Sequence, residues 1–235
     1  MDPLAGVIDP LASVVAWLSD PAHWSGDDGI PIRVLEHIQL SGAAVLIALC
    51  IALPVGLYLG HTGRGGFVAI NIANLGRALP SLALIALGLV ASIALGLGLG
   101  FWPTLFALVP LALPPILTNT FIAVRAVDRD TVEAARGMGL RESQILRQVE
   151  LPLALPLILG GVRTASVNVV ATATLGALVA GGALGRYIVD GLALQEYDRL
   201  LSGAILVALL AVLTEAGFGI LARMARYSGE RGRVT

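Results

Sequence analysis

Apolar residues run along most of this chain in charge-free blocks, separated by short polar stretches. A transmembrane helix needs about 20 consecutive apolar residues. Ile38 to Gly60 meets that length, with Pro54 inside it. Between Arg77 and Arg125 lies the longest uncharged stretch, too long for one crossing. Within it, Leu97-Gly98-Leu99-Gly100-Phe101-Trp102-Pro103 reads as a turn at the membrane interface, because Gly and Pro punctuate helices and aromatic rings favour headgroup depth. The stretch therefore divides into a second span over 68–96 and a third over 103–124. A fourth is expected over 153–180, carrying Arg163, and a fifth over 201–222, containing Glu215. The pattern predicts an all-α membrane protein with about five transmembrane helices.

The first 36 residues behave differently. Leu4 to Leu18 is apolar but short, is interrupted by Asp9-Pro10 and lacks a basic leader. It fits neither a signal peptide nor a good span. An interfacial helix is the preferred reading, with an extra crossing as its rival. Domain limits follow: 1–36 as an external segment, 37–222 as the membrane domain, and 223–235 as a cytoplasmic tail.

Composition narrows the function. Of 235 residues, 57% are hydrophobic and 13% charged, against roughly 25% charged in soluble domains. Small residues are abundant, with 28 glycines, as in closely packed membrane helices. All 15 basic residues are arginine. Without lysine there is no Walker A loop and no Schiff-base chemistry. His23, His37 and His61 share no ligand spacing with Cys50, so no metal site is expected. Cys50 reads as inert packing inside an apolar run. A net charge of −1 without a basic block argues against nucleic acid. Nothing here suggests an enzyme.

Arginine asymmetry gives the orientation. Arg125, Arg129, Arg136, Arg141 and Arg147 lie between spans three and four, and Arg64, Arg223, Arg226, Arg231 and Arg233 fall on the same side. The other side keeps Arg33, Arg186 and Arg199, collects most acids, and holds Trp17, Trp24 and Trp102 as expected interfacial anchors. The N-terminus is thus expected outside and the C-terminus inside.

The segment 128–152 carries the most information. Asp130 with Glu133 three residues on reads as a capping box, and Gly137 and Gly139 end that helix. A second short helix over 141–149 should stop at Pro152, where the next span starts. Val132, Ala135, Leu140, Ile145, Leu146 and Val149 offer apolar contacts among the charges. A connector would need only a few residues, so this helical knob looks built to fit a partner's groove.

Glu133-Ala134-Ala135, then three residues, Gly139, nine residues, and Val149-Glu150-Leu151-Pro152 resembles the EAA loop of ATP-binding cassette (ABC) importer permeases, with Val149 where isoleucine is usual. The resemblance extends over roughly 34–222. Ala78-Leu79-Pro80-Ser81-Leu82-Ala83, Ala112-Leu113-Pro114-Pro115-Ile116 with Asn119-Thr120, and Val162-Arg163-Thr164-Ala165 look like the osmoprotectant branch. So does Ala171 to Leu178, running into Gly181-Gly182-Ala183-Leu184-Gly185.

This resemblance implies a MetI-like type I importer permease fold and import of glycine betaine, choline, carnitine or a similar quaternary amine. It implies a second permease subunit, identical or similar, and a cytoplasmic ATPase dimer that binds ATP and Mg. A separate periplasmic or lipid-anchored binding protein would deliver the solute; this chain itself would need no cofactor. The expected location is a bacterial inner membrane. Glu133, Ala134, Ala135, Gly139, Val149, Leu151 and Pro152 would be ATPase-coupling residues.

Ionisable groups inside spans are functional candidates. Arg163 and Glu215 fit either a gate or, preferably, a structural ion pair between helices. Arg77 reads as a snorkelling anchor. Asn119, Asn168 and Ser166 could meet a solute or join helices. Aromatics in the spans are few and scattered, so no cation-binding cage is evident. A permease for an amino acid or anion keeps the architecture and changes the cargo. A non-transporting scaffold or channel would need no EAA spacing.

Overall fold

The computed structural model describes residues 5–67, 70–71 and 78–231, and both the apolar runs and parts of the charged stretches between them appear in it as helices. They are α1 (Ala5–Ser19), α2 (Ile30–Thr62), α3 (Ser81–Ala94), α4 (Phe101–Arg125), α5 (Arg129–Gly137), α6 (Glu142–Ile145), α7 (Leu151–Thr172), α8 (Gly185–Leu194) and α9 (Tyr197–Arg231). Among the described residues, four stretches are long and apolar enough to cross a membrane: Ile30–Thr62, Phe101–Arg125, Glu142–Val179 and Tyr197–Met224. Proline lies inside three of the long helices, at Pro54, Pro110, Pro114, Pro115 and Pro156. Membrane helices accept this because neighbouring groups re-satisfy the freed carbonyls.

Several boundaries differ from expectation. The first span begins at Ile30, eight residues early, because Arg33 and Glu36 pair with each other and extend the helix beyond its uncharged part. The second expected span contains α3, a 14-residue apolar helix; residues 68, 69 and 72–77, Arg77 among them, lie outside the described residues. The α-helix of the fourth span ends at Thr172 and tightens into a 3₁₀ turn over Ala173–Val179. The short helix α8 follows, in a stretch the apolar pattern leaves unassigned. The turn near Gly98 forms as expected, with the Ser92 hydroxyl donating to the Gly98 carbonyl at 2.6 Å.

The chain divides into two compact units. Unit one comprises 1–44, 81–108 and 169–212. Its core joins Trp17, Ile30, Leu184, Tyr187 and Val207, and a second cluster joins Leu84, Ile85, Ala107 and Val179. Trp17 is therefore buried instead of facing a lipid interface. Its ring stacks on His23 at 3.9 Å, and His23 Nδ1 lies 2.8 Å from the Trp17 carbonyl. This packing holds α1, whose 15 residues fall short of the roughly 20 needed to cross. Trp24 and Trp102 are exposed.

A polar network closes unit one. Arg33 pairs with Asp28 and, at 2.8 Å, with Glu36. Glu36 also accepts from the Ala183 backbone N–H at 2.7 Å. Tyr187 donates its hydroxyl to the Asp28 carbonyl at 2.5 Å, and burial pushes its pKa up, keeping the proton it donates. Arg199 lies 5.9 Å over the Tyr187 ring and pairs with Asp190.

Unit two comprises 45–80, 109–168 and 213–235. Ala123, Val124, Ala154 and Ile158 form its core, with Leu53, Leu57, Val127 and Leu151 against it. Gly56 and Gly60 bring α2 close to α4, since a Cβ on either would fall 2.7 Å from Thr120 or Val124. This is small-xxx-small packing, in which a missing side chain lets backbones approach. Cys50 is exposed rather than packed.

Candidate functional site

The knob between α4 and α7 starts from a cap. Asp128 accepts the Asp130 backbone N–H at 2.8 Å and opens α5. The expected capping box on Asp130 and Glu133 does not form, because Asp128 is already in the extended conformation a cap requires and Asp130 is inside the helix. The helix ends in a Schellman motif. The Gly139 N–H donates to the Arg136 carbonyl at 3.0 Å, and the Leu140 N–H to the Ala135 carbonyl at 3.3 Å. Gly139 has φ +85°, and a Cβ there would touch nothing within 4 Å. Backbone conformation, not space, demands glycine at this corner.

The second arm also differs from expectation. Helix α6 does not stop at Pro152. It passes through a π turn, Leu146–Glu150, directly into α7. Pro152 has no N–H and its ring crowds the preceding turn. One wider turn absorbs this, with the Leu151 N–H reaching back to Leu146.

Burial separates the motif residues into two groups. Ala135 and Ile145 are buried, so their side chains pack inside the knob. Glu133, Ala134, Gly139 and Pro152 are exposed, and Val149 and Leu151 are half-buried. Met138, 75% exposed beside the corner, supplies an apolar surface that the sequence reading did not single out.

Four polar residues outside the fixed motif positions bind the knob together. Arg136 forks onto Glu142, with Nε and one terminal nitrogen at 2.8 and 3.0 Å. This hydrogen-bonded pair raises the Arg136 pKa further. His61, at the end of α2, places Nε2 at 3.3 Å from Glu142 and Nδ1 at 2.6 Å from Glu150. Glu150 is buried at 5% exposure. A cavity of about 150 Å³ beside them is lined by residues that include Gly60, His61, Arg125, Glu133, Arg136 and Glu150. Sequence reasoning missed this network, since His61 and Glu150 are 89 residues apart. Its one visible signal is an acid set directly before Leu151-Pro152.

The other candidates have simpler surroundings. Arg163 and Glu215 form an ion pair, the arrangement preferred from sequence, and each side chain is about two-fifths exposed. Asn119 donates to the Pro115 carbonyl at 2.8 Å, and Ser166 to the Val162 carbonyl at 2.8 Å. Both bonds stay within one helix, so neither side chain joins helices through them. Asn168 is exposed.

Several helices of membrane length and a capped helical knob between two of them are the architecture of a multi-pass membrane protein. Residues 52–227 match the family described as binding-protein-dependent transport system inner membrane component, and the chain belongs to that family. It is 37% identical over 190 residues to the carnitine transport permease protein OpuCB of Listeria monocytogenes, covering 81% of this chain and 85% of that one. It is 34% identical over 197 residues to the choline transport system permease protein OpuBB of Bacillus subtilis, covering 84% and 88%. The osmoprotectant import permease protein OsmY of Salmonella typhimurium is 35% identical, with 77% and 75% covered. The fold matches a chain of the MetNI methionine ABC transporter in an inward-facing conformation, at TM-score 0.75 and 23% identity, over 88% of this chain and 99% of that one. The protein is therefore a multi-pass inner-membrane permease subunit, a class that is not itself an enzyme.

Proposed function

We propose that this chain forms the membrane path of an ATP-driven importer for an osmoprotectant, a quaternary amine such as carnitine, choline or glycine betaine. The observation that carries the cargo is identity of 34–37% over most of the chain to permeases named for carnitine and choline. Likeness to the methionine transporter extends to fold alone.

In this reading two permease copies, identical or similar, form the path, and two cytoplasmic ATPases bind and hydrolyse ATP with Mg beneath them. A separate binding protein brings the solute to the outer face. The N-terminus is outside and the knob and C-terminus inside, in keeping with the arginine asymmetry. Glu133, Ala134 and Met138 are exposed on the knob and meet the ATPase groove. Gly139 sets the corner between the two arms, while Val149, Leu151 and Pro152 pass displacement into α7. The Leu151 side chain packs against the unit-two core, which makes that transfer direct. The helices then rock between outward- and inward-open states. Arg163 and Glu215 hold two helices together, and Asn168 is the more accessible of the two asparagine candidates for the path.

The test is uptake of labelled glycine betaine, choline and carnitine. The host is an uptake-deficient bacterium expressing this chain with its ATPase and binding protein. Uptake of at least one solute is expected. A complex that assembles and hydrolyses ATP yet imports none of the three overturns the cargo. Failure to assemble with any ATPase overturns the importer reading.

A further inference from the structure

His61 and Glu150 are not among the residues expected to couple, yet they connect the motif to the first span. Glu150 ends the π turn and is buried, and its Oε2 lies 2.6 Å from His61 Nδ1. The other nitrogen of His61 faces Glu142, which Arg136 grips from the far side of the glycine corner. One imidazole thus touches both ends of the knob's second arm. Next to it, Gly60 sits against Val124 near the end of α4, where the knob's first arm departs. Helix α2 closes a triangle with both arms. A buried polar pair is not the cheapest way to join helices, since apolar packing of similar volume is often as stable or more so. The best-attested use of such a pair is to fix registry.

Resting on the coupling role proposed for the knob, we infer that the His61–Glu150 pair makes the first span part of the coupling element, carrying the knob's displacement into α2. His61 and Glu150 are positioning residues: they touch neither nucleotide nor solute. In unit two, Gly60 of α2 sits against Val124 of α4, so movement imposed at His61 reaches that contact.

The test replaces the hydrogen bond with a removable covalent link. In a Cys50→Ser background, His61→Cys with Glu150→Cys is assembled with its ATPase and binding protein in proteoliposomes. A short bifunctional methanethiosulfonate reagent then bridges the two cysteines. Uptake of labelled carnitine, choline and glycine betaine is measured per ATP hydrolysed. Before linking, the ratio should fall by about 2- to 30-fold, the range found for residues that carry coupling. Linking should restore it and dithiothreitol should remove it again. Glu150→Gln, which keeps an acceptor for His61, should retain most of the ratio that Glu150→Ala loses.

A link that leaves the ratio low, or that blocks uptake until it is reduced, overturns the inference, because the pair must then separate during the cycle. Uptake and hydrolysis falling together in proportion to assembled complex also overturn it, as the signature of a purely structural bond. Gly139→Val serves as the reference. If Gly139→Val leaves coupling intact, the knob's role fails; if it uncouples and Glu150→Ala does not, only this inference fails. Should wild type import none of the three solutes, stimulation of hydrolysis by the binding protein replaces uptake as readout, and the link must restore that stimulation.

Discussion

Each unit of this permease contains a charge network, and the two are built to different plans. In unit one, ion pairs such as Arg33–Glu36 and Arg199–Asp190 are tied on to backbone: Glu36 accepts from the Ala183 N–H and Tyr187 donates to the Asp28 carbonyl. These bonds join positions 147 and 159 residues apart in sequence and pin loops in place. In unit two the bonds run from side chain to side chain, through Arg136, Glu142, His61 and Glu150. They join elements to one another, and Arg136–Glu142 also spans the glycine corner. The first plan ties loops to helices, and the second ties helices to each other.

The largest effect should come from crowding the pinned region. A Cβ on Gly185 would fall 2.2 Å from the Thr174 carbonyl oxygen, and backbone cannot give way as a flexible side chain can. Gly185→Val should leave little assembled complex in the membrane, read by quantitative immunoblot of the purified membrane fraction. Gly139→Ala, where a Cβ meets open space but φ is left-handed, should keep most of it, at a cost of about 1–2 kcal/mol. Equal losses at both positions would erase the contrast between the two regions.

Smaller effects grade the pinning bonds. Glu36→Ala removes an ion-pair partner and the acceptor for Ala183, and should lower stability by about 2 kcal/mol, seen as a lower thermal transition of the detergent-solubilised complex. Tyr187→Phe loses one neutral hydroxyl bond and should cost about 1 kcal/mol. The smallest change is expected at Arg163→Gln, which keeps a hydrogen-bond donor for Glu215 between two membrane-spanning helices. The thermal transition should fall slightly if the pair belongs to the scaffold. If uptake collapses there while the transition holds, the pair belongs to the gate and not to the scaffold.

The sequence made regular features legible and hid those that depend on distant partners. Two of the membrane-length stretches, around 38–60 and 101–124, showed as charge-free runs because the hydrocarbon tolerates few ionisable groups. The glycine corner was visible because Gly139 follows a helical pattern at cap distance. The start at Asp128 was not, since Asp130 satisfies the same local rule and only backbone geometry chooses between them. Helix α8 escaped because Arg186 and Asp190 make its stretch read as polar loop, although they pair with each other at 2.9 Å. The run from α6 into α7 escaped because Pro152 reads as a stop, whereas the π turn lets the helix pass it. The His61–Glu150 contact is invisible to spacing rules, yet it decides what the knob is attached to.

The most direct measurement is the number of solute molecules imported per ATP hydrolysed by the reconstituted complex, wild type against Gly139→Val. The account predicts that the variant assembles and hydrolyses ATP while imported solute per ATP falls sharply, because the corner sets how the knob's arms move together. An unchanged ratio in a fully assembled variant would contradict coupling through this loop.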